Sequence, residues 1–469
     1  MKKKTQTDRM IFADPTHKRI YVFSVILLAV VLTTVYLKLF HPLALTQLRY
    51  SVLTVRFRTV VIYNRVFMAL IAVNFLKLFF YTFSAGRAKR KEQDSSFPAV
   101  TAVIPAYNEE KTIVATVKSV LAADYKKLDV IVVDDGSKDG TLAILRKEFA
   151  DHPRVTILTK ENGGKSSALN MGIAEAKGSL LLLLDADTMI EKDAVRLLVP
   201  HFKNPKVAAV SGNTRVGNVH NFITRFQRVE YIRDFNLMKN GMSRYNAQPV
   251  VPGALGMWRK AAILECGGYS HDTLGEDRDL SMALLKKGYK TEFEPLAFSE
   301  TEAPDNLKNF VRQRFRWTYS TLQCEKKYLG CTFNPAKKGL GLLLMPDLLV
   351  FQTILPLVTT VGFILNLFYF NSFEFTLLLI SYFSSVLMEM FLFLLAQRIT
   401  REKVSYKDFL AVLPQRIIYG VICTFLLYKA ALYAFIGVTV LWNKVERKGN
   451  NRPLPDQKDN RPDANKQKN

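Results

Sequence analysis

Hydrophobic positions along this chain fall into two textures. Toward both ends they run almost unbroken, while in the middle they come in short bursts between polar, helix-like stretches. The first long run, 21–40, carries Lys38 as its one charge. About 20 apolar residues at ~1.5 Å rise span a ~30 Å hydrocarbon core, so the run predicts a membrane helix. It exceeds the apolar core of a cleavable leader, and no small-residue cleavage site follows it. A second run at about 60–83 is interrupted by Arg65 and Lys77, and it reads as a span or as a buried core helix. Three more runs lie at about 348–369, 374–396 and 416–441.

The texture changes at Ala99. AVTAVIPAY, KLDVIVVDD, RVTILT and SLLLLLDAD read as strands, separated by helix-like stretches at 109–122, 141–150 and 166–177. Strands apolar on both faces and alternating with helices predict a parallel sheet covered on both sides. Ligands of such sheets sit at the carboxyl ends of the strands, and here those ends carry carboxylates. Residues 85–98 form a polar linker, and 301–340 are rich in Arg, Phe and Lys, as expected of helices at a membrane interface. The polar tail after Lys444 has the composition of a disordered segment.

Charge adds orientation. Lys and Arg outnumber Asp and Glu by 65 to 41, a net charge of +24. Nucleic acid is one partner such a balance allows. Many of the charges flank the apolar runs, however: Lys2, Lys3, Lys4 and Arg9 precede the first, and Arg87, Lys89, Arg90 and Lys91 follow the second. This fits a lipid bilayer with the central domain on the cytoplasmic side, and no nucleic acid. Arg49, Arg56 and Arg58 between the first two runs weaken the bias without reversing it. The four cysteines make no CxxC pair and the six histidines are scattered, so carboxylates are the candidate metal ligands.

Five constellations carry candidate chemistry. Asp134 and Asp135 end VIVVDD before Gly136 and Ser137, an acceptor-rich edge suited to a uracil imide or ribose hydroxyls, or to an ordinary Asx turn. Asp185 and Asp187 in LDADTM fall on one face of an extended segment. Hard oxygens so spaced suit Mg²⁺ or Mn²⁺ bridging a diphosphate. Glu276 and Asp277 in LGEDRDL offer a carboxylate base for an acceptor hydroxyl, or a charged helix start. Gln313, Arg316 and Trp317 in RQRFRW combine a phosphate-binding fork with a platform for sugar faces, and also suit a basic helix at the headgroup level. Lys165 follows two glycines in ENGGKSSALN and can reach a diphosphate, although the spacing is not that of a P-loop.

In the order IPAYNEE, VVDDGSKDGT, NGGKSSALN, LLDADT, PGALGMWRK, GEDRDL and QRFRW, these pieces resemble the family 2 glycosyltransferases. The likeness is to the processive synthases of cellulose, chitin, hyaluronan and poly-N-acetylglucosamine, and it covers about residues 97–325. It implies a glycosyltransferase-A-type α/β fold, a Rossmann-like parallel sheet domain inserted between transmembrane helices. By the same likeness, Pro105, Tyr107, Glu109, Asp134 and Asp135 contact the nucleotide. Asp185 and Asp187 position the donor and hold the metal, with Asp187 favoured as the direct ligand. Asp277 is the general base, Gln313 and Arg316 belong to the donor side, and Gly253 and Trp317 belong to the acceptor side. The base motif reads GED rather than the TED or GDD of particular synthases, which leaves the product open.

The expected organisation is a tail and two spans over 1–84, a cytoplasmic catalytic domain over 85–300 and interfacial helices over 301–345. About three spans over 346–443 and a polar tail over 444–469 complete it. The expected activity is inverting transfer from a UDP-sugar to a growing β-linked polysaccharide, with UDP-N-acetylglucosamine as the favoured donor, export coupled to synthesis, and residence in the plasma membrane. A small membrane accessory subunit is a further candidate partner. Single transfer to a lipid acceptor is a rival reading, and an inactive membrane scaffold or channel is another. Five spans would put the basic tail outside, against the charge rule; a segment near 340–350 or 404–415 would restore it.

Overall fold

The computed structural model describes residues 72–85, 98–358, 372–400 and 404–437, with a few isolated positions besides. The run at 21–40, most of the linker and the polar tail lie outside the described residues.

Eight strands make one sheet: β1 (Val100–Ala106), β2 (Leu128–Asp134), β3 (Val155–Thr159), β4 (Leu180–Leu183), β5 (Thr188–Ile190), β6 (Val207–Val216), β7 (Gly256–Arg259) and β8 (Lys290–Thr301). Their spatial order is β3-β2-β1-β4-β7-β6-β8-β5. The half read from the sequence, β3-β2-β1-β4, is parallel as expected. The other half corrects the expectation of a wholly parallel sheet. Strand β7 runs antiparallel to both β4 and β6, and β5 runs antiparallel to β8. Its antiparallel pairs join strands distant in the chain, with a long excursion through 217–255 between β6 and β7.

Alternation divides the core into two faces. Ala102, Ile104, Val130, Val132, Leu180 and Leu182 face the helices Ile113–Leu121 and Thr141–Phe149. Val103, Ile131, Val133, Leu181 and Leu183 face the helix Lys165–Glu175 and the buried Trp258. Close approach of the Lys165 helix needs Gly172, where a Cβ would stand 2.3 Å from Val103 Cγ1 and 3.1 Å from Val133 Cγ2.

The register brings the strand ends level. Ala106 lies opposite Asp134, and the Asp135 amide bonds to the Ala106 carbonyl at 2.8 Å. A long helix, Leu307–Tyr328, follows β8. Among the described residues, two helices are long and apolar enough to cross a membrane, Leu340–Val358 and Val412–Ile436. The helix Ser372–Thr400 and the short, doubly capped helix Tyr406–Leu410 lie between them. The first of these helices begins at Leu340, ahead of the apolar run at about 348–369 and within the 340–350 segment named above, and β8 extends to Thr301.

The α/β domain is tied to these helices by buried charge. Glu230 receives Arg314 at 2.6 Å and the Tyr419 hydroxyl. Arg233 and Arg416 share Glu389 at 2.6 and 3.0 Å. Arg225 and Arg228 share Asp408 at 2.5 and 3.3 Å. Burial raises the Glu230 pKa, and Arg314 opposes the rise. Such pairs are costly to break from one side.

Gly172→Ala is expected to destabilise the domain by about 1–3 kcal/mol, the usual cost of overpacking. Thermal unfolding of the detergent-solubilised protein, read beside Gly330→Ala where a Cβ meets nothing within 4 Å, checks this.

Candidate active site

The site grows from the loop after β3. Gly164 has φ +85°, a backbone conformation only glycine adopts cheaply. The Gly163 and Gly164 amides donate to the two oxygens of Asp135 at 3.0 and 2.8 Å, and Lys160 bonds the same carboxylate at 2.8 Å. Asp135 therefore anchors the glycine loop. Asp134, beside it, accepts from the Ser137 amide at 3.3 Å, while its Oδ1 finds no hydrogen-bond partner among the described residues. Pro105, Tyr107 and Glu109 line up along the exit of β1, each partly exposed. Glu109 is fixed there by its amide to Thr141 Oγ1, 2.7 Å, and by Thr112 Oγ1 on its carboxylate, 2.9 Å.

The anchored loop launches the helix Lys165–Glu175, and Lys165 leads to the centre of the cluster. Its Nζ lies 2.8 Å from Asp185 Oδ1, 2.7 Å from Glu276 Oε1 and 3.6 Å from Asp277 Oδ2. Burial works against its charge, but Asp185, Asp277 and Glu276 together hold the ammonium pKa well above the usual lysine value. Burial pushes the Asp277 carboxyl up to about 7; Lys165 opposes this, Glu276 and Asp185 add to it, and the Gly253 N–H opposes it. One oxygen of Asp277, Oδ1, is buried without a hydrogen-bond partner among the described residues.

Gly253 joins three parts of the cluster. Its carbonyl accepts from the Asp185 amide at 2.8 Å, and its own amide donates to Asp277 Oδ2 at 2.8 Å. A Cβ there would stand 2.8 Å from Asp185 Oδ1, 2.9 Å from Lys165 Nζ and 3.0 Å from Asp277 Oδ2. Asp187, two residues on from Asp185, is buried and accepts from Thr188 and Thr301 hydroxyls at 3.2 and 3.3 Å.

The helix Leu307–Tyr328 closes the other side. Gln313, Arg316 and Trp317 lie at helical i, i+3, i+4 spacing and all three face one cavity. Trp317 packs on Phe235 with ring centroids 5.7 Å apart, and the Arg314 guanidinium lies 4.3 Å from its ring centre. The cavity, of about 380 Å³, runs from Lys165, Asp185 and Asp277 past Trp317 to Leu427 on the Val412–Ile436 helix. The structure thus brings Lys165, Asp185, Gly253, Asp277, Gln313, Arg316 and Trp317 to one space. Pro105, Tyr107, Glu109, Asp134, Asp135 and Asp187 are not among its lining residues. Sequence reasoning missed Phe235, Lys239 and the neighbouring Arg278, which complete the wall. Arg278 sits inside the GEDRDL motif, so it was within reach; Phe235 and Lys239 lie in a helical stretch with no motif.

Residues 101–264 match the model described as glycosyl transferase family 2. The chain is 30% identical over 266 residues to the poly-beta-1,6-N-acetyl-D-glucosamine synthase of Staphylococcus aureus (strain COL), covering 56% of this chain and 65% of that one. The synthase of the same name from Staphylococcus epidermidis is 29% identical over 259 residues, covering 55% and 63%. The match therefore spans slightly under two thirds of the length of these relatives. In fold, the chain is similar to the mannosyltransferase PcManGT from Pyrobaculum calidifontis, solved with GDP-Man and Mn²⁺. The TM-score is 0.57 at 21% identity, over 76% of this chain and 99% of that one.

Gly253→Ala is expected to push Asp185, Lys165 and Asp277 apart and lower nucleotide-sugar turnover at least about tenfold, since an ångström of misplacement costs up to ~10²-fold. UDP release on donor addition, compared with unchanged thermal unfolding, checks it.

Proposed function

We propose that the protein is an inverting β-glycosyltransferase that polymerises a UDP-sugar, N-acetylglucosamine by preference, and passes the product across the plasma membrane. The observation that carries this reading is the single cavity that joins a base carboxylate, Asp277, to an aromatic sugar platform, Trp317, and continues to a membrane-length helix at Leu427. The naming of the staphylococcal relatives supports the choice of sugar.

In this reading the uridine lies along the ends of β1 and β2, against Pro105, Tyr107, Glu109 and Asp134, with Asp135 holding the glycine loop beneath. Lys165, Gln313 and Arg316 face the diphosphate. Asp185 and Asp187 would hold Mg²⁺ or Mn²⁺, which when bound offsets charge on the departing diphosphate. The donor chemistry fits: both are hard oxygen ligands, and the Asp185 side chain is 36% exposed. Among the described residues no group of three or more His, Cys, Asp or Glu forms a ready-made cage. That suits a cation completed by substrate phosphates. Asp277 takes the proton of the acceptor hydroxyl, whose oxygen bonds to the anomeric carbon as the bond to the diphosphate breaks. With one base and no protein nucleophile the anomeric configuration inverts.

The domain belongs on the cytoplasmic side, where nucleotide sugars are made, with the helices after residue 340 as part of a multi-pass anchor. The cavity's far wall, Gln352 and Thr353 on one apolar helix and Cys423 and Leu427 on the other, gives the new polymer its way out.

Asp277→Asn is expected to cut turnover by about 10²–10⁴-fold, the usual contribution of a general base. The base must be deprotonated to act. With its folded pKa raised to about 7, kcat/KM is expected to fall as pH drops through that value; a rate profile that stays level from pH 8 to 5.5 overturns the role.

Offered radiolabelled UDP-N-acetylglucosamine, UDP-glucose and UDP-glucuronate separately, the purified protein in sealed vesicles with outward-facing catalytic domains is expected to make long polymer from the first alone. Label protected inside the lumen supports export. Single-sugar products extracted with lipid would replace polymerisation by the lipid-acceptor reading.

A further inference from the structure

The cavity wall beside Asp277 holds two basic side chains that the chemistry above leaves unused. Lys239 belongs to the helix Met238–Ser243 and is only 5% exposed. Its Nζ lies 5.2 Å from the centre of the Phe235 ring, the same ring that packs on Trp317. It makes no hydrogen bond to any described residue; its surroundings are burial, the guanidinium of Arg278 and the carboxylate of Asp277. Burial pushes it down to about 7, with Arg278 adding to the fall and Asp277 opposing it. Arg278 also lines the cavity, and its Nη1 is buried with no hydrogen-bond partner among the described residues.

Lys239 and Arg278 line the same cavity, and the charge of Arg278 disfavours a charge on Lys239. A buried donor without an acceptor is destabilising, and a charged one more so. What relieves both is a ligand oxygen. The position says which ligand. Lys165 serves the donor end of the cavity, whereas Lys239 sits over the ring that backs Trp317, on the acceptor side of Asp277. The Arg278 guanidinium offers hydrogens only, and the Lys239 amine keeps at least two N–H donors in either protonation state, so the complementary feature is a hydrogen-bond acceptor without positive charge.

We propose that Lys239 and Arg278 read the acceptor sugar, admitting one whose ring substituent presents a carbonyl oxygen, as an acetamido group does, and rejecting the same sugar bearing a free ammonium. The inference rests on the reading of the Trp317 cavity as the acceptor site. A protonated amine would bring a cation beside the Arg278 guanidinium and offer neither wall group an acceptor. The acetamido carbonyl would instead accept from both donors. Specificity here combines one attraction with one repulsion, and a site built to hydrogen-bond a polar group discriminates strongly against its loss.

The test uses the full chain in lipid nanodiscs, with radiolabelled UDP-N-acetylglucosamine and two β-linked glucosamine disaccharides, one fully N-acetylated and one with both amines free. Wild-type protein is expected to extend the acetylated disaccharide with kcat/KM at least about tenfold higher. Lys239→Glu and Arg278→Leu are each expected to reduce that ratio below about threefold, mainly through a lower KM for the free amine, with the KM for donor unchanged. Lys239→Arg, which keeps charge and donors, is expected to hold the ratio and reports that the site is folded. Equal extension of both disaccharides by the wild type overturns the inference, as do variants that lower both rates in proportion or raise the KM for donor. Extension of neither disaccharide by the wild type removes the acceptor-cavity reading as well.

Discussion

The structure turns on one ammonium held among three carboxylates. Lys165 comes from the loop after β3, Asp185 from the end of β4, and Glu276 and Asp277 from the start of a helix some 90 residues further on. None of these positions is fixed by its own element alone. Four charges in a partly buried space are tolerable only together, since removing one leaves the others uncompensated in a low dielectric. The cluster therefore acts as a keystone for the β3-β2-β1-β4 half of the sheet and the mixed half beyond it. Gly253 lets the parts close up, because only a residue without a side chain fits between Asp185, Lys165 and Asp277.

The same economy explains the division of labour among the acidic residues at the strand ends. Asp135 spends its oxygens on the glycine loop, and Asp187 is braced by hydroxyls on β5 and β8. Asp134 keeps one oxygen unmatched by any described residue, and Asp277 does the same beside Gly253. These carboxylates are thus of two kinds, those held by amides or hydroxyls and those keeping an oxygen that no described residue meets. Sequence spacing cannot distinguish the two, because the difference lies in which backbone amides fold back onto which oxygen.

Legibility followed locality. The strands ending in Asp134 and Asp185 could be read directly, since apolar bursts closed by carboxylates and glycine are local patterns. So could the shared face of Gln313, Arg316 and Trp317, which needs only helical spacing. The antiparallel strand β7 between β4 and β6 could not, because GMWR is four residues long and its place depends on partners far away in the chain. Lys165 read from sequence as a weak candidate, and its importance comes entirely from the three acidic groups that converge on it. Phe235 lies within a stretch of widened helical turns, Tyr231–Leu237, and Lys239 just after it, so the usual helical period does not hold there. No fixed helical period would have placed both toward Trp317.

The cavity's walls come from two parts of the chain far apart in sequence. Lys165, Asp185 and Asp277 belong to the α/β domain, while Cys423 and Leu427 belong to a helix that starts more than a hundred residues after Glu300. A domain cut free from these helices would keep Lys165, Asp185 and Asp277 but lose the far wall of the cavity. The two ends of one cavity are thus written in different stretches of one gene, and each can drift without rewriting the other.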